Sequence, residues 1–200
     1  YLVNNLSGSL PTQLGALTAL SIMYLYQAHS LSGSLPTQLA ALTALTMMAL
    51  DSNSLSGSLP MQLAALTALT NMGLDRNSLS GSLPTQLGAL TALQYMFLND
   101  NSLSGSLPTQ LGALTALQCM LLYDNAFSGT IPQELPAPSG CGGCRISTTS
   151  SYQCPLPSTS CTSGISCTWA PPPPSLPPSL PPSPWPPPPP SPPPSPPPSP

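Results

Sequence analysis

The chain has 200 residues, of which only 4% are charged, and its formal net charge is −3 at pH 7. A nucleic-acid-binding protein needs a basic face, and a chain with 2 basic Lys or Arg residues in all cannot form one. No run of about 18 or more apolar residues occurs, so the sequence predicts no membrane span within these residues.

A 24-residue unit repeats along the chain and reads P-x-x-L-x-x-L-x-x-L-x-x-M-x-L-x-x-N-x-L-S-G-S-L. Its prolines keep this step, with the first of them one residue early: Pro11, Pro36, Pro60, Pro84, Pro108 and Pro132. A period of about 20–29 residues with leucines at these offsets is the signature of a leucine-rich repeat. The L-S-G-x-[IL]-P segment after the asparagine resembles the plant-type subclass of that family.

The resemblance implies an α/β-type solenoid over residues 1–135, that is, a right-handed superhelix with a parallel, concave β-sheet. Short strands are predicted near 22–26, 47–51, 71–75, 95–99 and 119–123. Within the second strand, Met48 and Leu50 are two residues apart and therefore share the buried face. One turn alone buries too little apolar surface to fold, so the turns are expected to stack around one continuous core.

The first unit is incomplete, because Tyr1 falls at a leucine position of the repeat. This start predicts a fragment without its N-terminal cap. Asn5 opens an N-x-S sequon and is an N-glycosylation candidate if the chain is secreted. One extra residue precedes Leu31 and displaces the asparagine of that unit. His29 lies in this insertion without a partner His or Cys nearby, so it is expected on a loop and without a metal or catalytic role.

Asparagines and glycines of the repeat are expected to be structural. A buried Asn can satisfy backbone groups where the chain leaves the strand, and in the resembled family this column forms a ladder between turns. The ladder residues are Asn53, Asn77, Asn101 and Asn125. Gly57 and its equivalents fit a bend that a Cβ would crowd. These equivalents are Gly33, Gly81, Gly105 and Gly129.

The returning arc, SLSGSLPTQLGALTAL, barely changes between units, whereas the outward strand positions do. These positions form the predicted concave face, with aromatic residues at both of its ends. Rigidly held aromatic rings contribute much of the binding energy when a partner docks. Tyrosines that are merely tolerated on a surface that binds nothing would give the same pattern. The residues predicted to bind a peptide or glycan are Tyr24, Tyr26, Asp51, Asp75, Arg76, Tyr95, Phe97, Asn99, Leu121 and Tyr123.

Asp51 and Asp75 occupy one column in successive turns, so their carboxylates are expected about 5 Å apart, at the strand spacing. Paired carboxylates at such a distance serve retaining glycosidases. Those enzymes need a closed cleft, however, and the predicted sheet is open, which favours solvated surface acids. The sequence contains no G-x-S-x-G, H-E-x-x-H or phosphate-binding glycine loop. The prediction is a non-enzyme without cofactor or metal.

Residues 136–168 are predicted to form a degenerate last turn and a Cys-rich cap. The six cysteines allow several pairings, and the sequence does not choose among them. They are Cys119, Cys141, Cys144, Cys154, Cys161 and Cys167, of which the first falls at an outward strand position. The C-x-x-C spacing of Cys141 and Cys144 is also used by zinc and thioredoxin-like sites, but the second half of such a site is missing. Disulfides in a secreted protein are therefore the favoured interpretation.

Residues 169–200 are runs of proline punctuated by serine. Proline fixes φ near about −65° and lacks an N–H, so the segment predicts a disordered, extended polyproline II tail. The S-P-P-P pattern resembles the extensin-type, hydroxyproline-rich stalks of plant and green-algal cell walls, which implies hydroxylated and glycosylated prolines. A ligand for SH3- or WW-like domains and an uncommitted linker are the alternatives.

Two functions follow from these interpretations. The first is a secreted protein of the extracellular matrix or cell wall, similar to leucine-rich-repeat extensins. It would bind a protein, peptide or cell-wall glycan on the concave face, and the glycosylated proline rod would anchor it. The alternative is the ectodomain of a membrane-bound, receptor-like leucine-rich repeat protein in signalling, with its span beyond Pro200. An intracellular solenoid is a third option, disfavoured by the cysteines and the rod.

Overall fold

The computed structural model describes residues 6–26, 30–136, 144–146, 152–153 and 167–168. The chain divides into two compact units, Tyr1–Ala170 and Pro171–Pro200, and all the described residues belong to the first. The sequon at Asn5, the insertion at His29, the proline tail and most of the predicted cap lie outside the described residues.

Short strands and five-residue 3₁₀-helices alternate along the chain. In chain order the strands are β1 (Ser7–Ser9), β2 (Ile22–Tyr24), β3 (Ser30–Gly33), β4 (Met47–Ala49), β5 (Ser54–Gly57), β6 (Asn71–Gly73), β7 (Ser78–Gly81), β8 (Tyr95–Phe97), β9 (Ser102–Gly105), β10 (Cys119–Leu121), β11 (Ala126–Phe127), β12 (Cys144–Arg145), β13 (Tyr152–Gln153) and β14 (Cys167–Thr168). The 3₁₀-helices are η1 (Thr12–Ala16), η2 (Thr37–Ala41), η3 (Met61–Ala65), η4 (Thr85–Ala89) and η5 (Thr109–Ala113).

The predicted parallel sheet is confirmed, and we call it the variable sheet because its outward residues differ between turns. Its strand order is β2, β4, β6, β8, β10 and β12, with every pair parallel. The middle residue of each full strand is a methionine, and Met48 pairs with Met72 of the next turn. Met48, Met72 and Met96 are completely buried. Equivalent residues of successive turns therefore stack directly, as a solenoid requires.

The five predicted strands of the variable sheet begin where predicted but end two residues early. The strand predicted near 47–51, for example, spans Met47–Ala49. The cause is a turn whose third residue after the strand has a left-handed backbone, with φ of 52° to 56°. The residues in this conformation are Ser52, Arg76, Asp100 and Asp124. Asp is among the few non-glycine residues that tolerate it.

A second sheet, which the sequence analysis did not predict, is built from β1, β3, β5, β7, β9 and β11. We call it the serine sheet. In β5 the alternation of Ser54, Leu55 and Ser56 places the leucine in the core and both serines on the other face. Neighbouring strands are offset, so that Ser56 pairs with Ser78 of the next turn. The serine sheet thus presents pairs of hydroxyls at each step of the stack.

Four strands of the serine sheet, β3, β5, β7 and β9, end in a glycine that their backbone requires. Gly81 has φ of +78°, a conformation that L side chains rarely adopt, and a Cβ there would lie 3.4 Å from Ser58 Cβ of the preceding turn. The equivalent glycines at 33, 57, 105 and 129 also have positive φ. The bend inferred for this column is therefore present in the structure.

The arc between the sheets is held by leucines and by the 3₁₀-helices. Pro60 precedes η3 in an extended conformation, and its carbonyl accepts a hydrogen bond from Leu63 N–H at 3.1 Å. Leu63, Leu66 and Leu69 then point inward and are completely buried. The same pattern recurs in the neighbouring turns, which produces one continuous apolar core.

The asparagine column forms a ladder of hydrogen bonds between turns. Asn77 Nδ2 donates to the carbonyl oxygens of Leu50 and Leu74 at 3.0 and 3.1 Å, and its Oδ1 accepts from Leu55 N–H at 2.9 Å. Asn101 and Asn125 repeat the arrangement one and two turns later. Asn53 is the exception, because its buried Oδ1 has no hydrogen-bond partner in the structure. It faces the turn that contains the insertion.

The variable sheet continues past the regular repeats. Met120 pairs with Cys144 and Leu121 with Arg145, and Ile146 is buried in the same core. Cys119 is completely buried and disulfide-bonded. A separate pair of short parallel strands, β13 and β14, also lies in the segment predicted as the cap.

Candidate functional site

The outer face of the variable sheet carries the residues predicted to bind a partner. The register places Tyr24, Ala49, Gly73, Phe97 and Leu121 side by side in one column across the sheet. Arg145 continues this column. Beyond the strand ends, the repeat places a further column of side chains at equivalent positions: Tyr26, Asp51, Asp75, Asn99 and Tyr123.

Aromatic rings form pairs at two places on this face. Tyr24 and Tyr26 meet edge to face with ring centroids 6.0 Å apart, and Tyr95 and Phe97 lie 6.3 Å apart at an angle of 49°. The Tyr95 hydroxyl donates to Gln118 Oε1 at 2.9 Å. Because Tyr95 is anchored by this hydrogen bond and Phe97 by its neighbour ring, the second pair presents a preorganised aromatic surface.

Two positions expected on the open face are buried instead. Asn99 is only 2% exposed, because its Nδ2 folds back onto the carboxylate of Asp100 in the same turn. Cys119 is also buried and is held in a disulfide. Neither side chain is accessible to a ligand in this structure, so Asn99 leaves the set of candidate contacts.

Acidic side chains follow the aromatic and aliphatic columns at the edge of the face. The Asp75 carboxylate accepts a hydrogen bond from Arg76 Nη1 at 3.3 Å, and the Arg76 side chain is 62% exposed. Burial raises the pKa of the Asp75 carboxyl above its usual 3.8, and the nearby Asp51 carboxylate raises it further. A backbone hydrogen bond and Arg76 act in the opposite direction. The Asp51 carboxylate therefore stands close enough to disfavour the charge of Asp75.

A depression of about 320 Å³ lies in the middle of the face, between the two aromatic pairs. The outward residues that line it are Met47, Ala49, Asp51, Asn71, Gly73, Asp75 and Phe97. The sequence analysis selected the two acids and Phe97 as binding residues but not Met47, Ala49, Asn71 or Gly73. A glycine inside a strand, where other turns carry Tyr24 or Phe97, is the signal that would have located this depression.

Most of the charge in residues 6–26 and 30–136 lies in one place. Within residues 6–26 and 30–136, five of the six charged side chains follow strands of the variable sheet, namely Asp51, Asp75, Arg76, Asp100 and Asp124. The sixth, Glu134, belongs to the last arc. The serine sheet carries none. Two other depressions, of about 470 and 440 Å³, lie on the arc and are lined by uncharged residues.

The part of the chain that the structure describes holds no group of three or more His, Cys, Asp or Glu side chains arranged to hold a metal ion. It also holds no helix with the length and apolar character needed to cross a bilayer.

The leucine-rich repeat family model matches residues 92–114, which contain β8, β9 and η5. This match covers a small part of the chain, and the periodicity extends the same pattern to the other turns. Comparison with curated proteins gives no significant match.

Several solved structures share the fold over most of the chain. A TDR receptor structure is 34% identical with a TM-score of 0.69, covering 80% of this chain and 27% of its own length. The leucine-rich repeat ectodomain of the receptor kinase GASSHO1/SCHENGEN3 from Arabidopsis thaliana, in complex with CASPARIAN STRIP INTEGRITY FACTOR 2, is 33% identical with a TM-score of 0.66. It covers 82% of this chain, which spans only 19% of that ectodomain. A plant ice-binding protein is 29% identical with a TM-score of 0.64, covering 74% of this chain and 47% of its own length.

Proposed function

Since the described chain is a leucine-rich repeat solenoid, we propose that it is a non-enzymatic interaction protein that holds a peptide or cell-wall glycan on the variable sheet. The observation that carries this proposal is the Tyr95–Phe97 pair beside an open depression with acidic edges. Aromatic rings fixed on a rigid sheet provide contact area at little cost in conformational entropy.

The chemistry of this face suits binding rather than catalysis. Tyr95 and Phe97 offer flat apolar surface on which a sugar ring or an aliphatic side chain can lie. Asp51 and Asp75 offer hydrogen-bond acceptors and negative charge to a partner. The depression opens onto the sheet surface, and it has no nucleophile–base pair among its lining residues.

We place the protein outside the cell, in the matrix or wall. The disulfide at Cys119 fits an oxidising compartment. The proline–serine tail at 169–200 resembles glycosylated wall stalks and would anchor or space the solenoid. Hydroxyproline and arabinose or galactose on this tail in the native host are the expected marks of that role.

A receptor ectodomain is the alternative within the same proposal. The GASSHO1/SCHENGEN3 neighbour is an ectodomain of a membrane receptor kinase in complex with another factor. In that case the proline segment would be a stalk next to a membrane span beyond Pro200. The sequence of the gene past Pro200 decides between the two: an apolar helix of about 20 residues indicates the receptor, and a continued proline rod or a stop indicates the wall protein.

Adsorption to ice is a second candidate function, favoured by the serine sheet. One neighbour is a plant ice-binding protein, and the serine sheet presents uncharged hydroxyl pairs, such as Ser56 with Ser78, at the strand spacing of about 4.8 Å. Depression of the freezing point by the full chain, lost on Ser56→Lys with Ser80→Lys, would support this candidate. A wild-type chain that leaves ice growth unchanged would reject it.

The main proposal is tested by removing the aromatic pair. Tyr95→Ala with Phe97→Ala should leave thermal unfolding nearly unchanged, because both residues face outward, yet weaken binding of secreted peptides or wall glycans by roughly 2 kcal/mol or more. Thr85→Ala with Gln86→Ala on the exposed arc is the matched control and should bind as the wild type does. Equal binding by both double variants would show that this face is not the site.

A further inference from the structure

We infer that the depression at Gly73 receives the arginine side chain of a bound peptide, with Phe97 as its wall and Asp51 and Asp75 as its acceptors. This inference rests on the proposed function, since it names the group that the variable sheet recognises.

The cavity exists because Gly73 has no side chain. In the same column of the sheet, the neighbouring turns carry Ala49 on one side and Phe97 on the other. The glycine is not required by its backbone, since it does not have the positive φ of the glycines that close the serine strands. A Cβ placed on Gly73 would meet its nearest neighbours at ordinary contact distances of 3.6 to 3.7 Å. The missing side chain thus leaves space on the binding face and relieves no clash.

The carboxylates are directed toward this space. The Cβ position of Gly73 would be 3.7 Å from Asp51 Oδ1, so this oxygen lies at the rim of the depression. Asp75, which is on the turn after that of Asp51, lines the same depression. Its present partner is Arg76, which makes a single 3.3 Å contact and remains 62% exposed. Because the Arg76 end of this ion pair is exposed to water, the pair contributes little, and a cation entering the depression can compete for Asp75.

The shape of the depression favours a guanidinium over an ammonium. Phe97 supplies an aromatic face on which a planar guanidinium stacks, and the methionine and alanine at its lining accommodate the aliphatic part of the side chain. Two carboxylates can each accept from the several N–H groups of one guanidinium. A volume of about 320 Å³ is at the lower end for ligand pockets, which fits one side chain of a larger partner.

Binding should weaken on acidification, because protonation removes the negative charge that attracts the arginine. The charged groups that act on Asp75 are Asp51 from the preceding turn, Asp100 from the following turn and Arg76 on its own turn. Burial and the two acids raise the pKa of Asp75, whereas Arg76 lowers it. A bound guanidinium adds a second positive charge and stabilises the ionised carboxylate.

Methionine methyl groups give a local readout of this site. Met47 lines the depression, and Met61 is exposed on the arc. The full chain, labelled at its methionine methyl carbons, is titrated with Nα-acetylarginine amide. Nα-acetylcitrulline amide, which is neutral and nearly the same shape, and Nα-acetyllysine amide, which carries an ammonium, are titrated in parallel. We expect the Met47 signal to shift with the arginine derivative, more weakly with the lysine derivative and not with the citrulline derivative. The Met61 signal should stay in place.

Two variants and one control separate the cavity from its charge. Gly73→Phe fills the depression, and the column already holds Tyr24 and Phe97, so the sheet accepts an aromatic residue there. Asp75→Asn keeps the shape and removes one charge. Each should weaken binding of the arginine derivative at least roughly tenfold. For Asp75→Asn this is the effect expected from loss of a hydrogen bond to a charged group, and for Gly73→Phe the new ring occupies the space that the arginine side chain needs. Asp124→Asn removes an equal charge outside the depression and should bind as the wild type does.

Equal shifts with citrulline or lysine, equal shifts at Met61, or unchanged binding by Gly73→Phe would each overturn the inference. These results are distinct from failure of the proposed function. If the Tyr95→Ala, Phe97→Ala variant no longer binds the peptide or glycan, but the arginine derivative does not shift the Met47 signal of the wild type, then the variable sheet is the binding surface and the arginine assignment is wrong. If neither experiment responds, both proposals fail.

Discussion

Asp75 shows how a single side chain links the site to the stability of the fold. Its pKa is raised by burial and by Asp51. A carboxyl with a raised pKa in the folded state stabilises the fold fully below its unfolded value of 3.8, and this contribution is lost as the pH rises through the folded value. At neutral pH the ionised Asp75 therefore lowers the stability of the fold, which is typical of residues kept for binding.

We therefore expect Asp75→Asn to raise the melting temperature at pH 7, because the amide carries no charge to desolvate or repel. This gain in melting temperature should vanish near about pH 3, which is below the usual carboxyl pKa of 3.8, because the wild-type carboxyl is then protonated and uncharged as well. Thermal unfolding at both pH values measures the difference, with the exposed Asp124→Asn as control. A variant that is less stable at pH 7 would mean that the contact with Arg76 outweighs the burial of the charge.

The sequence predicted most single residues of the repeat, and its failures at this scale have physical causes. Gly81 and its equivalents recur in every unit, so the bend they form could be predicted from the pattern. Gly73 occurs once at an outward strand position, where the period indicates only that the side chain faces out. Asn99 was predicted to be open for the same reason, but its hydrogen bond to Asp100 is a contact within one turn that the periodicity does not encode.

At the scale of elements, the parallel strands could be predicted because buried Met and Leu alternate with variable residues. The serine sheet was missed because its S-L-S-G segment offers only one buried residue, Leu55 in β5, and no β-branched or aromatic residue. Its strands form because neighbouring turns hold them in parallel register. This is a tertiary effect that no single unit predicts.

The asparagine ladder lacks one acceptor bond, at Asn53, in the turn after the one whose sequence carries the insertion. Asn77 Oδ1 accepts from Leu55 N–H, Asn101 Oδ1 from Leu79 N–H, and Asn125 Oδ1 from Leu103 N–H. Asn53 Oδ1 is the buried ladder acceptor without a partner in the structure. Leu31 is its counterpart by sequence. β3 pairs with β5 in the same register as the later strands of the serine sheet, but an extra residue precedes Leu31 in the sequence.

Deleting His29 should therefore restore the regular spacing and let Leu31 N–H reach Asn53. Since an unsatisfied buried polar group costs about 1–3 kcal/mol, the free energy of unfolding should rise by a similar amount. Chemical denaturation of the wild type and the deletion variant measures this. The same deletion made in an Asn53→Ala background should raise the free energy of unfolding by less, because the acceptor is gone. A deletion that destabilises both backgrounds equally would show that the insertion serves the packing of its own turn.

At the scale of the whole molecule, the stack of turns separates structure from recognition. The arc, the core and the asparagine ladder are almost the same in every unit and hold the turns together. The outward residues of the variable sheet differ from turn to turn, and nearly all the charge of the described repeats lies at its edge. The stacking could be predicted from one period, whereas the depression at Gly73 depends on residues from three turns and became visible only in three dimensions.

The central claim is that the variable sheet is the surface that a partner covers. Hydroxyl-radical footprinting of the full chain, with and without secreted peptides or wall glycans from the native host, tests it directly. We expect oxidation of Met47, Tyr95 and Phe97 to fall in the complex while Met61 on the arc, which is 54% exposed, reacts as before. Protection of Met61 with unchanged reactivity at Met47, Tyr95 and Phe97 would place the partner on the arc and contradict the claim.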